Sequence, residues 1–284
     1  YGTVVLKIAS FGQNNPHQDT SPGRIISRAE ISDEARKLAP VALLDEFRRE
    51  VLCLQELQHH NLLTFRAVLL PPAPLSLMME FMAGGSLGRA MTNASWTAQI
   101  VPQKQRMELL KGILRGLTFM HSRGFVHRDI KAHNILLCGR SSSLESGKVG
   151  GGSVGDLWRV AKIADFGTAV KEPEEHTGQK LTGEVGTSGY TAPEIVSPEG
   201  YGASVDVFAF AVVIWEMFRT NSTTKNPMIG ADLARLEEDC RPDFDSGHPS
   251  SVVVLTRRGW QQDPSKRPSL SAICGLLGVE DKIK

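Results

Sequence analysis

The run VHRDIKAHNILL, residues 126–137, brings Arg128, Asp129, Lys131 and Asn134 together and then closes on Ile135, Leu136 and Leu137. Charged groups beside a buried strand need partners, because an isolated buried charge is strongly unfavourable. The pattern predicts a polar loop at the mouth of an apolar strand, with a carboxylate, cations and a carboxamide converging on one task.

Around this run the chain reads as two unequal parts. The N-terminal part carries "TVVLKIASF", a polar loop "GQNNPHQDTSPG" and "RIISRAEI", a strand, loop, strand pattern. In "LLDEFRREVLCLQELQHHNLL", Phe47, Val51 and Leu54 recur at helical spacing, with Asp45 and Glu46 near the start, which predicts an amphipathic helix. "LSLMMEF" at 75–81 reads as a strand that runs into the turn "MAGGSL". Beyond it, "QRMELLKGILRGLTFMHS" sets Met107, Leu110, Leu114, Leu117 and Met120 on one helical face. A β-rich part therefore meets an α-rich part near residue 83, an α+β organisation. The Gly/Ser-rich segment at 139–156 has little to bury and is expected to be a mobile loop.

Composition narrows the function classes. With 284 residues, 41% of them hydrophobic, the chain can build a sizeable core in one or two domains. The 32 Lys and Arg nearly balance the 31 Asp and Glu, so no global field favours nucleic acid or an anionic membrane. Any bound anion must be held locally. The cysteines, Cys53, Cys138, Cys240 and Cys274, show neither zinc spacing nor a disulfide framework, which points to a reducing, cytoplasmic setting. The apolar run "VFAFAVVIW" at 207–215 is too short to span a membrane and is flanked by Asp206 and Glu216, so it reads as a buried helix. The chain opens at Tyr1 without an initiator methionine or signal peptide, the expectation for a piece of a longer protein with additional domains.

Taken in order, "HRDIKAHN", "KIADFGTA", "GTSGYTAPE", "SVDVFAFAVVIWEM" and "QQDPSKRPSL" resemble a eukaryotic-type protein kinase over essentially the whole chain. The pattern is most similar to the tyrosine-kinase-like serine/threonine group. Within that group, Roco or leucine-rich-repeat kinases also place a long segment before "AKIADFG". The resemblance implies a two-lobed protein kinase fold: a small β-rich N-lobe over 1–82, truncated at the glycine-rich loop, and a larger helical C-lobe over 83–284. It also implies ATP and Mg²⁺ as cofactors and a protein as substrate.

Phosphoryl transfer explains the opening run, since it needs an in-line hydroxyl and screening of the γ-phosphate charge. On the resemblance, Asp129 accepts or orients the substrate hydroxyl proton and Lys131 screens the transferring phosphate. Asn134 and Asp165 are the hard oxygen ligands for Mg²⁺. Leu136 floors the adenine, Met79 is the gatekeeper, and Glu80, Phe81 and Met82 form the hinge whose backbone meets the base. Gly2 and Val4 look like the tail of the glycine-rich phosphate loop. Glu50 is expected to pair with a strand cation. Asp206 resembles the aspartate that holds the catalytic loop from below, with a helix cap as the alternative. Glu194 and Arg267 resemble an architectural ion pair. Arg128 suggests control by an activation-segment phosphate, with Thr177, Thr182 and Ser188 as acceptors and Thr187 as the substrate-loop threonine.

The strand cation stays open at this level. Arg28 in "IISR" stands at a suitable interval before Glu50, yet a planar guanidinium does not freely replace a compact ammonium. Lys7 in "VVLK" has the right local letters but follows Gly2 closely. An odd separation from Val4 also puts the two on opposite strand faces. Lys37 lies in the polar stretch "DEARKLAP". Three functions compete: a protein serine/threonine kinase, a pseudokinase or signalling scaffold with weak or no phosphotransfer, and, more distantly, a small-molecule kinase.

Overall fold

The computed structural model describes residues 4–8, 25–26, 41–69, 75–92, 96, 101–139, 158, 160–173, 177–219, 226–233 and 240–279. A small strand-rich lobe is followed by a larger helical lobe. The first sheet has four strands, β1 (Val4–Ile8), β2 (Ile25–Ile26), β3 (Phe65–Leu69) and β4 (Ser76–Glu80), in the order β1-β4-β3-β2 with every pairing antiparallel. Helix α1 (Val41–Glu56) begins ahead of the expected "LLDEF" start. Its stripe, Phe47, Val51 and Leu54, is buried in one core with Val68, Leu77 and Met79 of the sheet. The helical period and the strand alternation thus close on each other, as their apolar faces require.

From β4 the chain passes through residues 81–86 into α2 (Leu87–Thr92) and α3 (Gln103–Ser122). Leu110, Leu114, Leu117 and Met120 of α3 are fully buried, and Met107 packs against the same core. Helix α4 (Ser204–Phe218) carries the "VFAFAVVIW" run, and all of those residues are buried inside the lobe. Two more helices, α5 (Ser250–Gly259) and α6 (Leu270–Leu277), pack on α4 and α3 respectively. Among the described residues no helix is long and apolar enough to cross a membrane.

Two short hairpin-like pairings carry the loops of interest. Strand β5 (Phe125–Val126) pairs with β8 (Val170–Lys171), and β6 (Ile135–Cys138) pairs with β7 (Val160–Ile163). The polar run predicted to lie at a strand mouth connects β5 to β6. The run "ADFG" leaves β7 beside it, so two loops distant in sequence emerge together. Glu194 and Arg267 form a two-pronged ion pair on the helical lobe, with Nη2 donating to Oε2 at 2.8 Å and both groups largely buried.

Candidate functional site

The loop between β5 and β6 is held in an unusual backbone shape. Arg128 has φ 67 and Asp165, on the facing loop, φ 66, the two described non-glycine residues in the left-handed region. Such a conformation costs about 1–3 kcal/mol each and persists only where surrounding contacts enforce it. Asp206 supplies those contacts at the first: fully buried, it accepts from the backbone N–H of His127 and of Arg128, both at 2.8 Å. His121 Nε2 lies 2.9 Å from the same carboxylate. Burial alone would raise the Asp206 pKa, but the hydrogen bond and charge of His121, with the contacts from His127, outweigh it and hold the group below the ordinary range. The residue before the first turn of α4 is Ala203, so Asp206 serves the loop and not the helix end.

His127 is buried under the loop and stacks at a tilt on Phe166, centroids 5.5 Å apart. Its Nδ1 accepts from the Asp129 N–H at 3.3 Å, which leaves Nε2, 3.2 Å from the Ala164 carbonyl, to carry the proton. Burial drives its pKa down against the pull of Asp206, Asp129 and Asp165, so the ring is neutral and ties the two loops together.

On this frame the polar side chains converge. Lys131 Nζ donates to Asp129 Oδ2 at 2.7 Å and to Thr187 Oγ1 at 2.7 Å, and Thr187 Oγ1 donates to Asp129 Oδ1 at 2.6 Å. Asn134 Nδ2 donates to the Asp129 carbonyl and to Oδ2, at 2.9 and 3.0 Å. That use of both amide hydrogens turns the carboxamide oxygen to the other side. The backbone N–H of Ala164 donates to the Asn134 carbonyl at 2.8 Å, which sets Asp165 beside Asn134. Asp165 is exposed. Among the described residues no group of three or more His, Cys, Asp or Glu could hold a metal ion by itself. An oxygen pair of this kind suits a cation that draws its remaining ligands from phosphates and water.

Residues 81–86 form the connector between the two lobes. The connector docks on β6: Gly84 N–H donates to Leu137 O at 2.9 Å and Leu137 N–H to Gly85 O at 2.8 Å. A Cβ at Gly84 would stand 2.6 Å from Leu137 O and 2.9 Å from Trp158, so only glycine allows the approach. Leu136 is part-buried on β6, Met79 and Met82 are buried, and Phe81 points to solvent. The Glu80 side chain turns away from the connector to Lys162 on β7, with Nζ donating to Oε1 at 2.6 Å. Glu50 is buried in α1 one turn before Cys53, whose thiol is pushed up to about 11 by burial and by Glu56 and Glu50. Val4 and Lys7 lie in β1, paired in register with Glu80 and Leu77. Gly2, Arg28 and Lys37 lie outside the described residues, as does the inserted segment beyond Gly139 as far as 156.

The expected regulatory groups are spread along the segment from 177 to 190. Thr177 and Thr182 are exposed, and Ser188 Oγ accepts from Gly230 N–H at 2.7 Å. Arg128 donates from Nε to Thr168 O at 2.7 Å and from Nη1 to the Tyr201 hydroxyl at 3.2 Å. Sequence reasoning gave no role to Lys162, Thr64, Asn61 or Tyr201. The signal for Lys162 was the last residue of the hinge strand, Glu80, a carboxylate that needed a cation nearby.

Comparison with known proteins agrees in kind. Residues 20–276 match the family described as Protein kinase domain. The chain is similar to the serine/threonine/tyrosine-protein kinase HT1 of Arabidopsis thaliana, 30% identical over 245 residues covering 84% of this chain and 56% of that protein. Likewise it is 30% identical to the serine/threonine-protein kinase VIK of Arabidopsis thaliana over 247 residues, 85% of this chain and 51% of the relative. The probable serine/threonine-protein kinase drkD of Dictyostelium discoideum is 30% identical over 241 residues, 83% of this chain and 16% of the relative. The chain thus spans about half the length, or less, of the curated relatives it matches.

Proposed function

The chain belongs to the protein kinase domain family, and from that premise we propose that it transfers the γ-phosphate of ATP to a serine or threonine hydroxyl of a protein substrate. The observation that carries this is the cluster of Asp129, Lys131 and Asn134 closed by Thr187, four side chains bonded to one another around one carboxylate. In the transfer, the hydroxyl oxygen bonds to the γ-phosphorus as the bond to the leaving ADP oxygen breaks. Asp129 accepts or orients the hydroxyl proton, and Lys131 screens the charge on the transferring group. Asn134 and Asp165 would hold Mg²⁺, which when bound with the nucleotide neutralises its phosphate oxygens. The base would rest on Leu136, with backbone contacts from Glu80 and Met82.

For the phosphate-anchoring cation opposite Glu50, the strand order favours Lys7 over Arg28. Strand β1 is hydrogen-bonded directly to β4, the strand that ends in the hinge, whereas the Ile25–Ile26 strand pairs only with β3 at the far edge. Lys7 stands in register with Leu77, which shares the core with Val51 and Leu54 of α1. With Lys7 in that role, Val4 leaves the nucleotide face, because the two are an odd number of residues apart.

We assign residues 1–82 to the small lobe and 83–284 to the large one, and place the protein in the cytoplasm as one part of a longer polypeptide. Protein carrying the residues upstream of Tyr1, incubated with radiolabelled ATP, Mg²⁺ and a generic protein substrate, tests the activity. Label transfer that Asp129→Asn abolishes supports it. Nucleotide binding without transfer moves the assignment to a pseudokinase scaffold.

A further inference from the structure

The Glu80 and Lys162 pair lies outside the reacting groups, yet it joins three elements of the proposed nucleotide site. Glu80 closes β4 where the chain enters the connector, and its backbone N–H donates to Thr64 O at 3.0 Å. Its Oε1 accepts from Lys162 Nζ and from the Thr64 N–H, both at 2.6 Å, and Lys162 Nζ also reaches Thr64 Oγ1 at 3.3 Å. The side chains are 20% and 11% exposed, too sheltered for water to replace either partner freely. Burial pushes the Glu80 pKa up, but the bonds from Lys162 and Thr64 overcome it and keep the carboxyl below its ordinary range, so the pair is ionic.

Lys162 is placed where a small shift matters. It stands in register opposite Leu136, the expected adenine floor, and three residues before Asp165. Its neighbour Ile163 is stitched to the same small-lobe segment: Leu63 N–H donates to Ile163 O at 2.8 Å and Ile163 N–H to Asn61 O at 2.9 Å. Asn61 Nδ2 adds a bond to Ala161 O at 2.9 Å. One cation therefore ties the hinge strand to the strand that carries the floor and to the loop that carries Asp165.

We propose that Lys162 is a positioning residue for the nucleotide: through Glu80 it fixes the separation between the hinge backbone and the strands bearing Leu136 and Asp165, and so sets affinity for ATP without touching the reacting atoms. The proposal rests on the nucleotide-binding reading above. Loss of the pair leaves the cluster around Asp129 intact, so its effect falls on binding and not on the chemical step.

The test compares wild type with Lys162→Met, Lys162→Arg, Glu80→Gln and the double variant Lys162→Met/Glu80→Gln. A fluorescent ATP analogue gives Kd, steady-state transfer to a generic substrate gives KM and kcat, and thermal melting reports folding. Lys162→Met raises Kd and ATP KM about tenfold with kcat within about threefold, Lys162→Arg recovers most of the loss, and the double variant is no worse than either single one. A folded Lys162→Met with unchanged Kd, or losses that add in the double variant, overturns the proposal. Should Lys162→Met not fold, the same comparison between Glu80→Gln and Lys162→Arg decides, with unchanged Kd in both counting against it. Wild type that binds the analogue and follows this pattern but transfers no phosphate removes the kinase assignment and leaves the positioning role standing.

Discussion

Thr187 Oγ1 lies 2.6 Å from Asp129 Oδ1 and donates to it, while the same oxygen accepts from Lys131 Nζ at 2.7 Å. The threonine comes from a segment 58 positions further along the chain. It closes over the loop that carries Asp129 and Lys131. The carboxylate and the ammonium are therefore oriented before any substrate arrives, which removes part of the reorganisation that transfer would otherwise require.

The roles assigned to the two aspartates separate on mutation. Asp129→Asn is expected to lower kcat by about 10²–10⁴-fold while nucleotide affinity stays near wild type, because the residue serves the hydroxyl and not ATP. Asp165→Asn removes a charged oxygen ligand, so it weakens the Mg²⁺-dependent part of nucleotide binding. A thermal-shift titration with ATP, with and without Mg²⁺, reads the difference. An identical Mg²⁺ response in the two variants contradicts the division of labour.

Thr187 should behave as part of the same constellation. Thr187→Ala takes one donor from Asp129 and one acceptor from Lys131, and kcat is expected to fall about tenfold with little change in KM for ATP. Thr187→Ser keeps the hydroxyl and should recover most of the rate. Equal rates for the alanine and serine variants would show that the contact is packing alone.

The helices and strands were legible because their signals are local. Phe47, Val51 and Leu54 mark the buried face of α1, and the apolar run 207–215 marks a helix enclosed on all sides. The cluster around Asp129 was legible for the same reason, since Asp129, Lys131 and Asn134 share one short loop. Lys162 was not, because its partner Glu80 lies 82 positions away and nothing in "AKIADFG" distinguishes a solvated lysine from a buried one. The contacts of Arg128 with Thr168 O and the Tyr201 hydroxyl were not legible either, being fixed by a backbone turn that no side-chain pattern announces. The choice between Lys7 and Arg28 stayed open for a reason of topology: the sequence shows strands but not which of them is hydrogen-bonded to β4.

Asp206 links the strained loop to stability and pH. Its folded pKa is depressed, so its contribution is fully present above the ordinary aspartate value of 3.8 and is lost as pH falls through the lower folded value. Asp206→Asn is expected to cost about 3 kcal/mol at neutral pH, the scale for breaking a buried charged network. The gap between wild type and variant should narrow as pH falls below 3.8 and through the lower folded value, where the wild-type carboxylate also takes up a proton. Urea unfolding at neutral pH and along this acid range measures it, and a gap independent of pH would place the effect in shape and not in charge.

The inserted segment and its exit should respond differently. Deleting Ser141 to Gly152 is expected to preserve folding and transfer, since its composition offers little to bury and loop closure depends only weakly on length. Trp158, by contrast, is buried against Trp96 with ring centroids 5.4 Å apart and lies against Gly84 of the connector. Trp158→Ala is expected to cost about 3 kcal/mol, and thermal melting of the two variants side by side tests the contrast. Insoluble protein from the deletion with a well-behaved Trp158→Ala would reverse it.

The strand cation gives the sharpest test, since the residue preferred from spacing and the one favoured by the sheet are different. Strands β1 and β2 occupy opposite edges of the order β1-β4-β3-β2, so only β1 borders the strand whose end, Glu80, enters the hinge. Val5 stands in register with Met79 and Lys7 with Leu77, which brings the lysine's strand alongside the core that Phe47, Val51 and Leu54 of α1 help to form. Lys7→Met is therefore expected to raise the nucleotide Kd and to reduce transfer by about a hundredfold or more, the scale for losing a charged contact to the phosphates. Arg28→Met should change either quantity by less than about threefold. Lys7→Arg should recover little, because a planar fork does not reproduce the contacts of a compact ammonium. A damaging Arg28→Met beside a mild Lys7→Met would return the role to the residue that spacing alone selected, and two mild variants would favour the scaffold, because a working site needs a cation paired with the buried Glu50.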